Sequence, residues 1–165
     1  RLKLRLKDSD IGLVNSISKA TNQDSLPAFS KVSQMLDKSK EIYHKICAQV
    51  GADSPNIEVY LLDDTIDEIY NCVRKHPSAT LCLAMLLNGE NYLVTHSVRV
   101  AVMLCYFANY LCLPKYDCQR LTKVGLLYDI GMINIPESIR YKKDSLVDDE
   151  QRQIQHHVKY SLEIL

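Results

Sequence analysis

The 165-residue sequence lacks the features that mark several common protein classes. Lys and Arg total 20, as do Asp and Glu, so the formal net charge is zero. A neutral chain has no overall field that attracts a polyanion, which argues against a protein dedicated to duplex nucleic acid. Gly and Pro number only five each, which favours helices over a strand-and-turn architecture. The longest apolar stretch, 100–113, is too short to span a bilayer, so we predict no membrane insertion.

The six cysteines include no Cys-x-x-Cys pair, so neither a zinc ribbon nor a thioredoxin-type redox pair is expected. Most of them lie inside apolar runs, as Cys82 and Cys105 do. We therefore predict buried, reduced thiols and a cytoplasmic location. The sequence also has no phosphate-cradling Gly-rich loop, no Gly-x-Ser-x-Gly elbow and no His-Glu-x-x-His motif.

Hydrophobic periodicity predicts an all-α protein behind a short N-terminal strand. Basic and apolar residues alternate over 1–7, which is typical of a solvated edge strand. The polar, aperiodic stretch that follows predicts a linker, with a short helix around 12–20. We assign 1–28 to this strand and linker, and 29–165 to one helical bundle. The predicted helices cover 29–51, 59–75, 79–87, 91–111, 115–128 and 148 to the end, and 132–147 is predicted to be mostly loop.

Three polar residues fall on or beside apolar faces of these predicted helices. His96 and His157 each lie within an apolar stripe, and Asp129 closes the fifth helix. Two imidazoles and one carboxylate that point inward from three helices are typical of a metal site in a bundle core. The alternative is that each histidine is only a hydrogen-bonded core residue. The residues in line with His96 are Leu93, Val100, Met103 and Phe107, and those in line with His157 are Ile154, Val158, Ser161, Leu162 and Leu165.

Three segments together resemble the HD-GYP domain, a branch of the HD phosphohydrolase superfamily. Residues 92–101 resemble its first-histidine helix. Residues 125–136 resemble its signature, in which a His-Asp pair is followed by Ile-Gly-Lys and then Ile-Pro. Residues 146–165 resemble its next segment, with an acidic helix start, a ligand histidine and a closing hydrophobic turn. The separations, 33 residues from His96 to Asp129 and 28 from there to His157, fit the family.

The resemblance implies a helical bundle that holds iron or manganese and hydrolyses the bacterial messenger cyclic di-GMP. Carried over by position, His96, Asp129 and His157 would be metal ligands. Asp129 would bridge two ions and take part in catalysis if the domain is active, because a carboxylate has two acceptor oxygens. Arg99 is a candidate for a positive charge near this site, as is Lys123, although a solvated helix face explains both equally well.

The sequence departs from the family at the positions that matter for catalysis. Tyr128 stands where the family has the His of its His-Asp pair, and Met132 stands where it has Lys. The upstream glutamate of trinuclear members falls at Tyr92. The family's later paired histidines, last aspartate and Gly-Tyr-Pro loop have no counterpart in this sequence. We therefore expect the iron or manganese site to be incomplete or absent.

These departures predict a degenerate HD-GYP-type domain in bacterial cyclic di-GMP signalling, with little or no hydrolysis. It would bind cyclic di-GMP or a signalling protein partner. One alternative is an active metal-dependent phosphodiesterase whose remaining ligands lie beyond this sequence. Another is a non-enzymatic adaptor similar to the HD-related output domains. The apolar stripe that runs to the last residue is expected to be partly uncovered, which would favour a homodimer.

Overall fold

The computed structural model describes residues 25–50, 58–89 and 91–165, and these residues form an all-α bundle. This confirms the predicted fold class. No strand occurs in these ranges. The predicted strand over 1–7 and the predicted linker helix around 12–20 lie outside the described residues. Within the described part of the chain, no helix is long and apolar enough to cross a membrane.

The helices follow the predicted order along the chain. Two 3₁₀ segments accompany them, at Val59–Leu61 and Ile130–Asn134. The α-helices are α1 (Ser25–Val50), α2 (Leu62–Lys75), α3 (Pro77–Met85), α4 (Tyr92–Tyr110), α5 (Lys115–Leu127), α6 (Glu137–Arg140), α7 (Asp148–Gln155) and α8 (His157–Ile164).

Local chemistry explains several of these boundaries. The described part of α1 already includes Ser25, four residues before the predicted start at 29. Pro77 opens α3, where proline is tolerated because the first-turn N–H groups have no acceptor within the helix. The side chain of Asn91 caps α4 by accepting a hydrogen bond from the backbone N–H of Val94 at 3.3 Å.

Among the helices in the described part of the chain, α4 and α5 make the most extensive contact. A methyl group added at Gly125 would lie 2.6 Å from the Cα of Ala101, so glycine allows the two helix backbones to approach closely. The buried residues of α4 lie mainly on one side of the helix and form the core with side chains from α1, α2 and α5. They include Val94, Val98, Ala101, Val102, Cys105 and Ala108.

The stripe predicted to carry His96 is buried only at Leu93 and is not the main buried face of α4. Met103 and Phe107, which share that stripe, are exposed. The helix is apolar around most of its circumference, so spacing alone could not distinguish the buried side from the open one. His96 consequently lies at the border between the core and solvent, with 27% of its side chain exposed.

The predicted continuous helix from 148 to the end is wrong, because the chain turns at His156 between α7 and α8. After this turn, Ser161 is buried while Val158 and Leu162 are exposed. The apolar stripe is therefore open to solvent over the last two turns, as expected, and α8 packs instead against the 3₁₀ segment Ile130–Asn134.

Candidate functional site

Three separate elements bring His96, Asp129 and His157 together. His96 lies in the second turn of α4, Asp129 follows the end of α5, and His157 is the first residue of α8. The Nε2 atom of His96 is 3.4 Å from Oδ2 of Asp129, and the Nε2 atom of His157 is 3.2 Å from Oδ1. The carboxylate thus lies between the two imidazoles, with 15% of its side chain exposed.

A backbone contact fixes the orientation of His157. Its Nδ1 atom lies within hydrogen-bond distance of the carbonyl oxygen of Ile154, and a carbonyl only accepts, so Nδ1 carries a proton. In neutral His157 the lone pair is then on Nε2, which faces an Asp129 oxygen that also only accepts. A lone pair on Nε2 is available to bind a cation beside the carboxylate.

The partly exposed side chain of Tyr128 contacts His96. Its hydroxyl oxygen is 2.8 Å from Nε2 of His96, the same nitrogen that faces Asp129. Burial, helped by the neighbouring Asp129 carboxylate, raises the pKa of Tyr128 to about 12. The phenol therefore keeps its proton at neutral pH and donates it to Nε2 when the imidazole proton is on Nδ1.

A serine hydroxyl attaches α8 to the turn that carries Asp129. The Oγ atom of Ser161 donates to the carbonyl oxygen of Tyr128 and accepts from the backbone N–H of Gly131, both at 2.9 Å. A methyl group at Gly131 would lie 2.2 Å from the carbonyl oxygen of His157. These contacts set the distance between the Asp129 turn and His157. Sequence periodicity places Ser161 in an apolar stripe but does not reveal this role, because a single hydroxyl gives no sequence signal.

The two cations proposed near the site have other partners. Arg99 donates from Nε and Nη2 to the carbonyl oxygens of Ala84 and Leu87, at 3.3 and 2.8 Å, and so caps the end of α3. Lys123 forms an ion pair with Asp63 at 3.2 Å. Both side chains therefore form contacts between helices of the bundle, and neither contacts the carboxylate of Asp129.

The described donors do not complete a site for one metal ion. Each Nε2–Oδ distance suits two neighbouring ligands of an ion, since donors about 2.1 Å from an ion and at right angles lie about 3 Å apart. The set of two histidines and one carboxylate that holds non-haem iron, however, needs all three donors on the same ion. Here the imidazoles face different oxygens of Asp129. Across 25–50, 58–89 and 91–165, no group of three or more His, Cys, Asp or Glu side chains is arranged to hold an ion.

Comparison with known proteins identifies bacterial relatives that are named as phosphodiesterases. A cyclic di-GMP phosphodiesterase of Pseudomonas aeruginosa is 35% identical over 94 residues, which cover 57% of this chain and 23% of that protein. Another from Borreliella burgdorferi is 34% identical over 62 residues, 38% of this chain and 16% of that protein. A 3′3′-cGAMP-specific phosphodiesterase of Vibrio cholerae is 35% identical over 74 residues, 45% of this chain and 16% of that protein.

The chain thus aligns with less than a quarter of the length of each of these relatives. No solved structure matches it significantly. The family model described as an HD domain matches residues 81–165, the part that contains His96, Asp129 and His157. Because this match covers just over half of the sequence, the chain belongs to the HD domain family, and its resemblance to the HD-GYP type is confirmed.

Proposed function

We propose that this chain is a degenerate HD-GYP-type domain of bacterial cyclic di-GMP signalling, which binds the dinucleotide and hydrolyses it little or not at all. HD domains of this family are metal-dependent phosphohydrolases. The relatives named as phosphodiesterases of cyclic di-GMP or cGAMP support a cyclic dinucleotide as the ligand. The main observation in favour of a loss of hydrolysis is the hydrogen bond between Tyr128 and His96.

This bond opposes metal binding at His96 in two ways. A metal ion would need the lone pair of His96 Nε2, which the Tyr128 hydroxyl contacts at 2.8 Å. The neutral phenol is itself a poor ligand for Mn²⁺ or Fe²⁺, so its position adds no donor. The site therefore has His96, Asp129 and His157 as candidate ligands, and the two imidazoles face different oxygens. Such a set binds a pair of metal ions weakly.

The substitution at Met132 removes a second part of the hydrolytic machinery. Cleavage of a phosphodiester is accelerated by fixed positive charge where negative charge develops. A thioether supplies no such charge, and Arg99 and Lys123 are engaged elsewhere. Binding of a dinucleotide depends less on this charge, because base contacts contribute to it independently. The domain would accordingly keep ligand binding after it has lost hydrolysis.

A second candidate is an active metal-dependent phosphodiesterase whose other ligands come from residues outside this sequence. The distance of 3.2 Å between His157 Nε2 and an oxygen of Asp129 favours it, since this separation suits two neighbouring ligands of one ion. In that case Asp129 would bridge two ions, with iron or manganese as the metal. The adaptor hypothesis, in which only a protein partner binds, is a third outcome of the same experiment.

The experiment measures metal content, ligand binding and hydrolysis on one preparation. The chain is incubated with Mn²⁺ or Fe²⁺ under anaerobic conditions, and bound metal is measured by mass spectrometry. Calorimetry with cyclic di-GMP measures binding, and chromatography measures hydrolysis. We expect binding, fewer than two metal ions per chain and no hydrolysis. Two ions per chain with hydrolysis would establish the second candidate, and no dinucleotide binding would refute the proposal in favour of an adaptor.

Single substitutions test which residue limits metal binding. Tyr128→His restores the family's ligand, and we expect it to raise the metal content of the chain. His157→Ala should abolish that gain. The matched control is His156→Ala, since this neighbouring histidine is exposed and outside the site. If Tyr128→His and the wild type hold the same amount of metal, the phenol is not what limits metal binding.

A further inference from the structure

Three aromatic rings follow one another at the edge of the site. The rings of Tyr92 and His96 are stacked, with centroids 5.4 Å apart and an angle of 20° between planes. The ring of Tyr128 follows His96 at 6.3 Å, tilted by 47°. Tyr92 and Tyr128 remain 60% and 40% exposed. We call these three residues the aromatic file. Hydrogen bonding between His96 and Tyr128 holds the inner part of this file in place.

A shallow apolar cleft of about 290 Å³ begins at the Tyr128 end of the aromatic file. This volume is just below the roughly 300–1,000 Å³ of small-molecule sites, so the cleft suits one planar ring system rather than a whole dinucleotide. Its lining residues are Arg120, Lys123, Val124, Leu127, Tyr128 and Leu165.

The cleft also has a cation at its edge. Arg120 lies over the ring of Tyr116 at 5.5 Å and forms no ion pair with any residue in the described part of the chain. The other cation of the cleft, Lys123, is already paired with Asp63. A ring-shaped ligand that also carries negative charge therefore complements this surface. A nucleotide has both features, a planar base and a phosphate.

We infer that the cleft beside Tyr128 binds one purine base of a cyclic dinucleotide, stacked on the Tyr128 ring, with the adjacent phosphate close to Arg120. This inference rests on the proposed function and names the part of the protein that recognises the ligand. Aromatic side chains bind bases through their π-faces, and guanidinium groups bind phosphate through several N–H donors. In this arrangement Tyr128 both weakens metal binding at His96 and binds the base.

Calorimetry with cyclic di-GMP tests the inference through pairs of variants. Tyr128→Leu removes the ring, and we expect binding about 5- to 150-fold weaker, the range for loss of one base–aromatic stack. Tyr128→Phe keeps the ring, and we expect it to bind as the wild type does. Tyr110→Leu is the control, since this exposed tyrosine lies at the opposite end of α4. Arg120→Gln should weaken binding and reduce its dependence on salt.

The outcomes separate this inference from the proposed function. Wild-type binding that Tyr128→Leu leaves unchanged would overturn the inference and leave the proposed function intact. No binding by the wild type would overturn both. Circular dichroism establishes whether Tyr128→Leu is folded. If it is not, Arg120→Gln decides the question, because this exposed side chain is not part of the core: weaker binding of cyclic di-GMP supports the inference, and unchanged binding refutes it.

Discussion

Replacing Gly131 with alanine tests whether the Asp129 turn lies directly against α8. The added methyl group would be 2.2 Å from the carbonyl oxygen of His157 and 2.4 Å from the backbone nitrogen of Ser161, whereas ordinary contacts begin at 3.4 Å. Both neighbours are backbone atoms, so relief requires the turn and the helix to separate. Overpacking of this kind costs about 1–3 kcal/mol, and two backbone overlaps place Gly131→Ala at the upper end.

A loss of about 3 kcal/mol corresponds to a fall in Tm of roughly 6–12 °C for a chain of this size. Thermal unfolding followed by circular dichroism measures it. The matched control is Gly89→Ala, where the methyl group would lie 2.8 Å from the hydroxyl of Thr95, a side-chain atom that can rotate. We expect the control to lose about 1 kcal/mol at most, the value of the hydrogen bond that Thr95 donates to Asn91. A Gly131→Ala protein with the Tm of the control would refute the close approach.

Two further predictions concern buried groups. Ser161→Ala leaves two backbone hydrogen-bond partners unsatisfied and should lower the free energy of unfolding by about 1–3 kcal/mol. Urea denaturation measures this loss, and an unchanged midpoint would contradict the two hydrogen bonds. Burial raises the pKa of the Cys105 thiol to about 11, so near pH 8 only about 0.1% of it is thiolate. The exposed Cys112 should therefore react with iodoacetamide well before Cys105, as mass spectrometry of the labelled peptides will show, and equal rates would contradict the burial of Cys105.

Helix positions could be read from the sequence where a local signal ends each helix. The His76-Pro77 pair divides α2 from α3, because the backbone nitrogen of proline has no proton to donate to the preceding helix. Asn91 precedes the start of α4, because its side chain caps the first turn. Both effects act within a few residues of the signal. The face of α4 that is buried could not be read. Apolar residues surround that helix, so only the position of α5 against Ala101 decides which side forms the core.

The position of His157 could likewise be predicted from the sequence only in part. Its sequence spacing from Asp129 and its place in the family motif predicted that it would lie near the site, and the structure brings it to 3.2 Å from Asp129. Periodicity nevertheless assigned it to one continuous stripe with Val158 and Leu162. The turn at His156 instead separates His157 from Ile154, the first residue of that stripe, and no proline or glycine in the sequence marks that turn.

The sequence by itself determined the all-α class, the order of the helices, the family and the two departures at Tyr128 and Met132, because each depends on residue types and short spacings. Only the tertiary structure decided what those departures do. The contact between Tyr128 and His96 joins residues 32 positions apart, one in α4 and the other directly after α5. Their distance depends on how α4 and α5 pack, and packing at this range has no local sequence signal.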